Sequence, residues 1–144
     1  QTYAPNMQAI RPAMLDVLNR DGEVKLAILD PDSDFVKIRA AETPELHIGD
    51  PLVAFKSNIV HDSTARFMQV AKLKKAGTAS LRNYDRSPGV CIYATDSMML
   101  VGPYLTNTDA VNAPMVEIEG NTEAYQKVLE HFNSIWDDAK IKEI

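Results

Sequence analysis

Two short stretches hold most of the side chains able to grip a small molecule. The first runs from Arg82 to Asn107 and carries Arg82, Arg86, Tyr93, Asp96 and Tyr104. A guanidinium pairs with phosphate or carboxylate oxygens, and a phenol stacks on a ring while offering one hydroxyl. Arg82 and Arg86 flank a strand end. They are better ligand contacts than Lys72, Lys74 and Lys75, whose place near a helix C-terminus suits solvated cations. The same residues admit plainer roles: Tyr93 and Tyr104 as core aromatics with satisfied hydroxyls, Asp96 as the maker of its own turn. Cys91 reads as a small buried apolar residue, because no His or Lys stands within a few positions to lower its pKa.

The second stretch is Asp30-Pro31-Asp32-Ser33, followed by Arg39. It closes an apolar strand, and the carboxyl edge of such strands is where open α/β sheets hold ligands. Ser33 and the N–H groups of the next helix can meet an anion, and Arg39 either reaches a phosphate or pairs with Asp32 or Asp34. The clustered acids repel an anion unless a cation offsets them. The alternative is a turn and helix cap with Arg39 as its salt-bridge partner. His47, His61 and His131 stand alone, without metal-ligand spacing, and with a single cysteine they exclude a conventional structural zinc site. No metal or cofactor is implied.

These residues need elements to position them. Ala13 to Arg20 forms a short amphipathic helix, with Pro12 at its first turn and Asp21-Gly22 as its stop. Val24 to Leu29 is too continuously apolar for a half-exposed strand and reads as a central strand covered on both faces. Asp32 or Ser33 caps a short helix through Phe35, Val36 and Ile38. Apolar residues at three- and four-residue steps predict the longest helix over Pro51 to about Ala76, ended by Gly77. Strands follow at Thr78 to Tyr84, Val90 to Thr95 and Met98 to Val101, the last two a hairpin around Asp96-Ser97, and then at Met115 to Glu119. After the Gly120-Asn121 boundary, the stripe from Tyr125 through Trp136 to Ala139 marks a final helix. The order predicts one α/β domain: a mixed β-sheet sandwiched between helices. The longest irregular stretches, 41–50 and 104–113, fit loops within it.

Composition bounds the function. At 144 residues and 45% hydrophobic content, the chain suits one globular domain. A net charge of -5 disfavours bulk nucleic-acid binding. No apolar run approaches the roughly 20 residues that span a bilayer, and no leader is visible. The opening Gln1 suggests a piece of a longer chain, and the single cysteine fits a reducing, cytoplasmic setting. Charge is uneven: residues 66–86 are basic and residues 115–144 acidic, so the basic side can take an anion or the two sides can pair between copies. Met98, Met99 and Met115 add support for a buried interface.

The run from Pro88 to Asn107, with a strand, Asp96 at the turn, and a strand closing in Val-Gly-Pro-Tyr-Leu-Thr-Asn, resembles the catalytic hairpin of the phospholipase D superfamily. The segment from Leu18 to Pro31 is similar to that family's helix, tight turn and strand, and His131-Phe-Asn-Ser-Ile-Trp136 to its closing helix. The resemblance implies one phospholipase D-like half-domain that pairs about a twofold axis, hence a homodimer. The family's attacking imidazole and phosphate-holding ammonium are missing, because aligning Asp96 places Gly89 and Cys91 at those positions. It therefore implies a non-catalytic sensor or regulatory domain of a bacterial-type protein. Its ligand would be small and anionic, a nucleotide or phosphate ester, held by Arg82, Tyr93, Asp96, Tyr104, Asp30, Ser33 and Arg39. The alternatives are a phosphodiesterase or nuclease with a relocated nucleophile, His61 first, and a purely structural dimerisation domain.

Overall fold

A computed structural model describes residues 7–87, 89–108 and 112–144. Pro88 and residues 109–111, within the hairpin lead and the second irregular stretch named above, lie outside the described residues. The chain is mixed α/β, with two small sheets and four helical bodies among the described residues.

Helix α1 (Met7–Asn19) begins earlier than its pattern suggests, so Pro12 lies inside the helix rather than in its first turn. Asp21, not Gly22, takes the left-handed position that ends it, at φ 62°. The Gly22 N–H then bonds Val17 O at 2.9 Å and the Asp21 N–H bonds Leu18 O at 3.2 Å, a Schellman closure. Gly22 is needed for space, since a Cβ there would lie 2.7 Å from the Val17 side chain.

Strand β1 (Glu23–Leu29) pairs in parallel with β2 (Thr78–Tyr84), and β2 pairs antiparallel with β6 (Lys140–Lys142). The order β1-β2-β6 corrects the expectation for β1: it is buried from Leu26 to Leu29, yet it lies at the edge of the sheet, and β2 is the middle strand. Continuous hydrophobicity reports cover from above and below, not neighbours on either side. Ser33 caps α2 (Asp34–Glu42), its Oγ accepting the Phe35 N–H at 3.1 Å. The long helix is a rod of three parts, α3 (Pro51–Ser57), a π-helical stretch (Asn58–Ala65) and α4 (Arg66–Leu73). It stops at Leu73, before Gly77, whose φ of +66° instead opens the turn into β2.

The second sheet, β3 (Val90–Ala94), β4 (Met98–Pro103) and β5 (Val116–Glu119), is wholly antiparallel, so the expected single mixed sheet is in fact two. Helix α5 (Glu123–Asp138) is capped by Thr122 and tied to the hairpin turn by the Tyr125 hydroxyl, which donates to Thr95 O at 2.6 Å. Sheet one, α2, the rod and Trp136 enclose the core of Leu26, Ile28, Leu29, Val36, Phe55, Ile59, Phe67 and Leu81. Met99 is buried in the fold and is unavailable to a partner, which corrects its expected place in an interface.

Candidate functional site

Alternation along β1 and β2 splits the predicted site residues between two faces. Lys25, Ala27 and Leu29 share one face with Arg82 and Tyr84. That face meets α5: the Arg82 guanidinium stacks on Trp136 at 4.5 Å, and its Nη1 donates to Trp136 O at 2.8 Å. Arg82 thus satisfies a carbonyl at the C-terminal end of α5, and this use takes its charge. Arg86 is paired with Asp138 at 2.5 Å. The other face carries Leu26, Ile28, Leu81 and Asn83, and it ends in Asp30 and Asp85.

Arg39 and Tyr104 do come together. Arg39 is 5% exposed, and Tyr104 lies 5.0 Å from its guanidinium carbon, ring face toward it. Its Nη1 donates to Leu105 O at 3.0 Å and pairs with Glu42 at 3.1 Å, and Nη2 reaches Thr108 O at 3.4 Å. Neither predicted partner takes part: Asp34 pairs with Lys37 at 2.8 Å and Asp32 with Lys56 at 3.7 Å. On a helix, Glu42 is one turn from Arg39, whereas Asp32 precedes the helix altogether. Beside this clamp lies a shallow cleft of about 100 Å³, lined by Phe35, Ile38, Arg39, Glu42, Ser87 and Tyr104. Ile38 and Ser87 are exposed at its rim.

Cys91 is fully buried and shares a face of β3 with Tyr93; the Tyr93 and Tyr104 hydroxyls both reach its thiol. Burial pushes the thiol pKa up, against a smaller lowering that includes those two hydrogen bonds. Burial also raises Tyr84, with the neighbouring Cys91 adding to it. Gly89 faces open space. Asp96 is exposed in the two-residue turn closed by the Thr95 N–H to Met98 O bond at 2.8 Å. It lies at the far end of the hairpin from Tyr104, because Ala94 pairs with Met99 while Val90 pairs with Pro103.

Ser33 links the two strand ends, donating from Oγ to Asp85 at 2.6 Å. Asp30 accepts the Asp32 N–H at 3.0 Å and lies 3.9 Å from the Lys140 ammonium. His61 is exposed on the π-helical stretch, His131 is exposed on α5, and His47 touches Thr43 at 3.2 Å and the Phe55 ring edge. Among the described residues, no three His, Cys, Asp or Glu side chains gather as a metal-binding group. No helix there is long and apolar enough to cross a membrane.

Sequence reading missed Phe35, Ile38, Glu42 and Ser87 as cleft walls, since nothing in their spacing ties α2 to residue 87. It also missed Asn83, which stands two residues after Leu81 in β2 and so shares that residue's buried face. No family model matches the chain, and no curated protein or solved structure is significantly similar to it.

Proposed function

We propose that this chain is a non-catalytic, regulatory ligand-binding module of phospholipase D-like descent. It dimerises and takes a small anionic ligand, a nucleotide or phosphate ester, whose anionic group docks at the cleft between α2 and the end of β4. The observation that carries the reading is the burial of Cys91. On the proposed alignment, a buried thiol within reach of Tyr93 and Tyr104 stands where the superfamily has its ammonium. At the position of the attacking imidazole, Gly89 has no side chain. On that alignment the hairpin lacks the family's nucleophile and charge clamp for phosphoryl transfer.

The cleft supports binding instead. It offers an aromatic ring, a hydroxyl at Ser87 and the buried Arg39. The 3.4 Å reach of Arg39 to Thr108 O is the weakest of its contacts and the one an anion replaces. Glu42 sets a limit on the ligand's charge, since it stands 3.1 Å from the same guanidinium. The dimer is what the resemblance implies, with exposed apolar side chains at Ile48, Val53, Val116 and Ile141 on separate segments of the surface.

Thermal shift against nucleotides and phosphate esters tests the ligand, with Ser87→Trp as the variant that blocks the cleft from its rim. A ligand in hundredfold excess over its Kd stabilises by about 2.7 kcal/mol. The reading expects a clear rise in Tm for the parent chain and none for Ser87→Trp. No rise at millimolar ligand removes the ligand from the proposal. Sedimentation velocity across concentrations tests the dimer, and a monomer throughout removes that half.

A further inference from the structure

We infer that the carboxyl edge of the first sheet is a binding site for a hard divalent cation, Mg²⁺ or Ca²⁺. Its ligands are Asp30, Asp85 and the amide oxygen of Asn83, and Lys140 is the cation that occupies the place in its absence. The site is separate from the cleft and independent of any phospholipase D-like descent.

The first observation is an orphan. Asn83 is 7% exposed, and its Oδ1 has no hydrogen-bond partner. A buried amide oxygen without a donor costs stability, and such atoms mark a bound water, an ion or a function. The second observation is where that oxygen lies. The parallel register sets Ile28 beside Asn83, and the Asp30 N–H to Tyr84 O bond at 2.8 Å continues it, bringing Asp30 beside Asp85. Alternation puts Asp30, Asn83 and Asp85 on one face. Lys140 is the cross-strand partner of Asn83 on β6 and so shares that face. Asp30 on β1 and Lys140 on β6 flank β2 from opposite sides, yet their charged groups come within 3.9 Å. They meet over β2 at the level where Asn83 and Asp85 emerge. The orphan oxygen therefore belongs to a side chain on the face where this ion pair closes.

The chemistry of the donor set selects the ligand. Two carboxylates and an amide oxygen are hard oxygen donors, the set that Mg²⁺ and Ca²⁺ take. One oxygen of each carboxylate is already oriented, Asp30 by the Asp32 N–H and Asp85 by Ser33, which leaves the other of each to coordinate. With two carboxylates rather than three, the cation keeps several waters and binds weakly. The internal counter-ions are loosely held: Lys140 is mostly exposed and lies at 3.9 Å from Asp30, and Lys56 lies at 3.7 Å from Asp32. Both distances exceed those of a charge-assisted hydrogen bond. A divalent ion exchanges one loose ammonium for shorter bonds and gives Asn83 its missing partner.

The test is titration calorimetry and thermal shift with MgCl₂ and CaCl₂ at constant ionic strength. The parent chain, Asn83→Leu, Asn83→Asp and Lys140→Ala are compared. One of the two ions raises the Tm of the parent chain by several degrees at 20 mM. Lys140→Ala binds roughly three- to tenfold more tightly, since a like charge beside the ion is gone. Asn83→Asp binds more tightly for the converse reason, and it reports even where Asn83→Leu fails to fold. A folded Asn83→Leu binds at least about tenfold more weakly. No response of the parent chain to either ion overturns the site and leaves a water as the partner of Asn83. Equal responses in parent and Asn83→Leu, or weaker binding by Lys140→Ala, overturn it as well.

Discussion

Replacing Arg39 with alanine tests whether one buried guanidinium fastens the loop after β4 to helix α2. Its side chain is 6% exposed, so little of its energy is lost to solvent screening. The charged hydrogen bond to Leu105 O at 3.0 Å contributes about 1.5–3 kcal/mol. Stacking on Tyr104 at 5.0 Å adds about 0.5–2 kcal/mol in a desolvated setting. The Glu42 pair adds only about 0.5 kcal/mol, because Glu42 is half-exposed and regains water when Arg39 is removed. The 3.4 Å contact to Thr108 is too long to count. The total is about 2.5–5.5 kcal/mol, or a fall in Tm of roughly 5–22 °C for a chain of this size. Urea unfolding of the parent, Arg39→Ala and Arg39→Lys measures it. Lysine keeps the charge and loses the planar fork and its stacking, so it recovers less than half of the loss. Hydrogen exchange then quickens at residues 104–108, where the Asn107 N–H bonds Glu42 O at 2.9 Å. A loss under about 1 kcal/mol for Arg39→Ala, or full recovery by lysine, refutes the clamp.

Three further outcomes follow from the same geometry. Cys91 and Tyr84 both have raised pKa values in the folded chain, so the unfolded chain ionises first as pH rises. Their contribution to stability is whole below the unfolded pKa values, near 8.5 and 10, and is lost as pH climbs from there toward the folded values. Urea midpoints measured from pH 7 to 11 fall above about pH 9, and Cys91→Ala flattens the first part of that fall. Gly77→Ala places a Cβ 2.4 Å from Gly22 O and 2.7 Å from Leu18 O, at a φ of +66°, so it costs about 2–5 kcal/mol by denaturant titration. Introducing an imidazole and an ammonium at the two hairpin positions, one at a time, separates them. Gly89→His enters open space and changes stability by about 0.5 kcal/mol or less, whereas Cys91→Lys buries an ammonium and loses at least about 3 kcal/mol. Equal effects of the two substitutions contradict this placement of the hairpin.

Local pattern was enough for most elements. The stripe from Tyr125 to Trp136 became α5, the Asp96-Ser97 turn became a hairpin, and Ser33 capped α2. Each of these rests on residues within a few positions of one another, where periodicity and capping chemistry act directly. Strand β6 escaped because Lys140-Ile141-Lys142 is exposed throughout and has no apolar pattern to read. Its pairing with β2 is what brings Lys140 beside Asn83.

What the sequence determined by itself was the mixed α/β class, the run of helices and strands, and the absence of an imidazole and an ammonium from the hairpin. Tertiary structure alone decided which charges are spent and which are available. Arg82 and Arg39 look alike along the chain, yet one caps α5 and the other clamps a loop 66 positions away. The physical reason is that a charge's role depends on its nearest opposite charge, acceptor and water. Those neighbours are set by strand register and packing between distant segments, which local spacing does not encode.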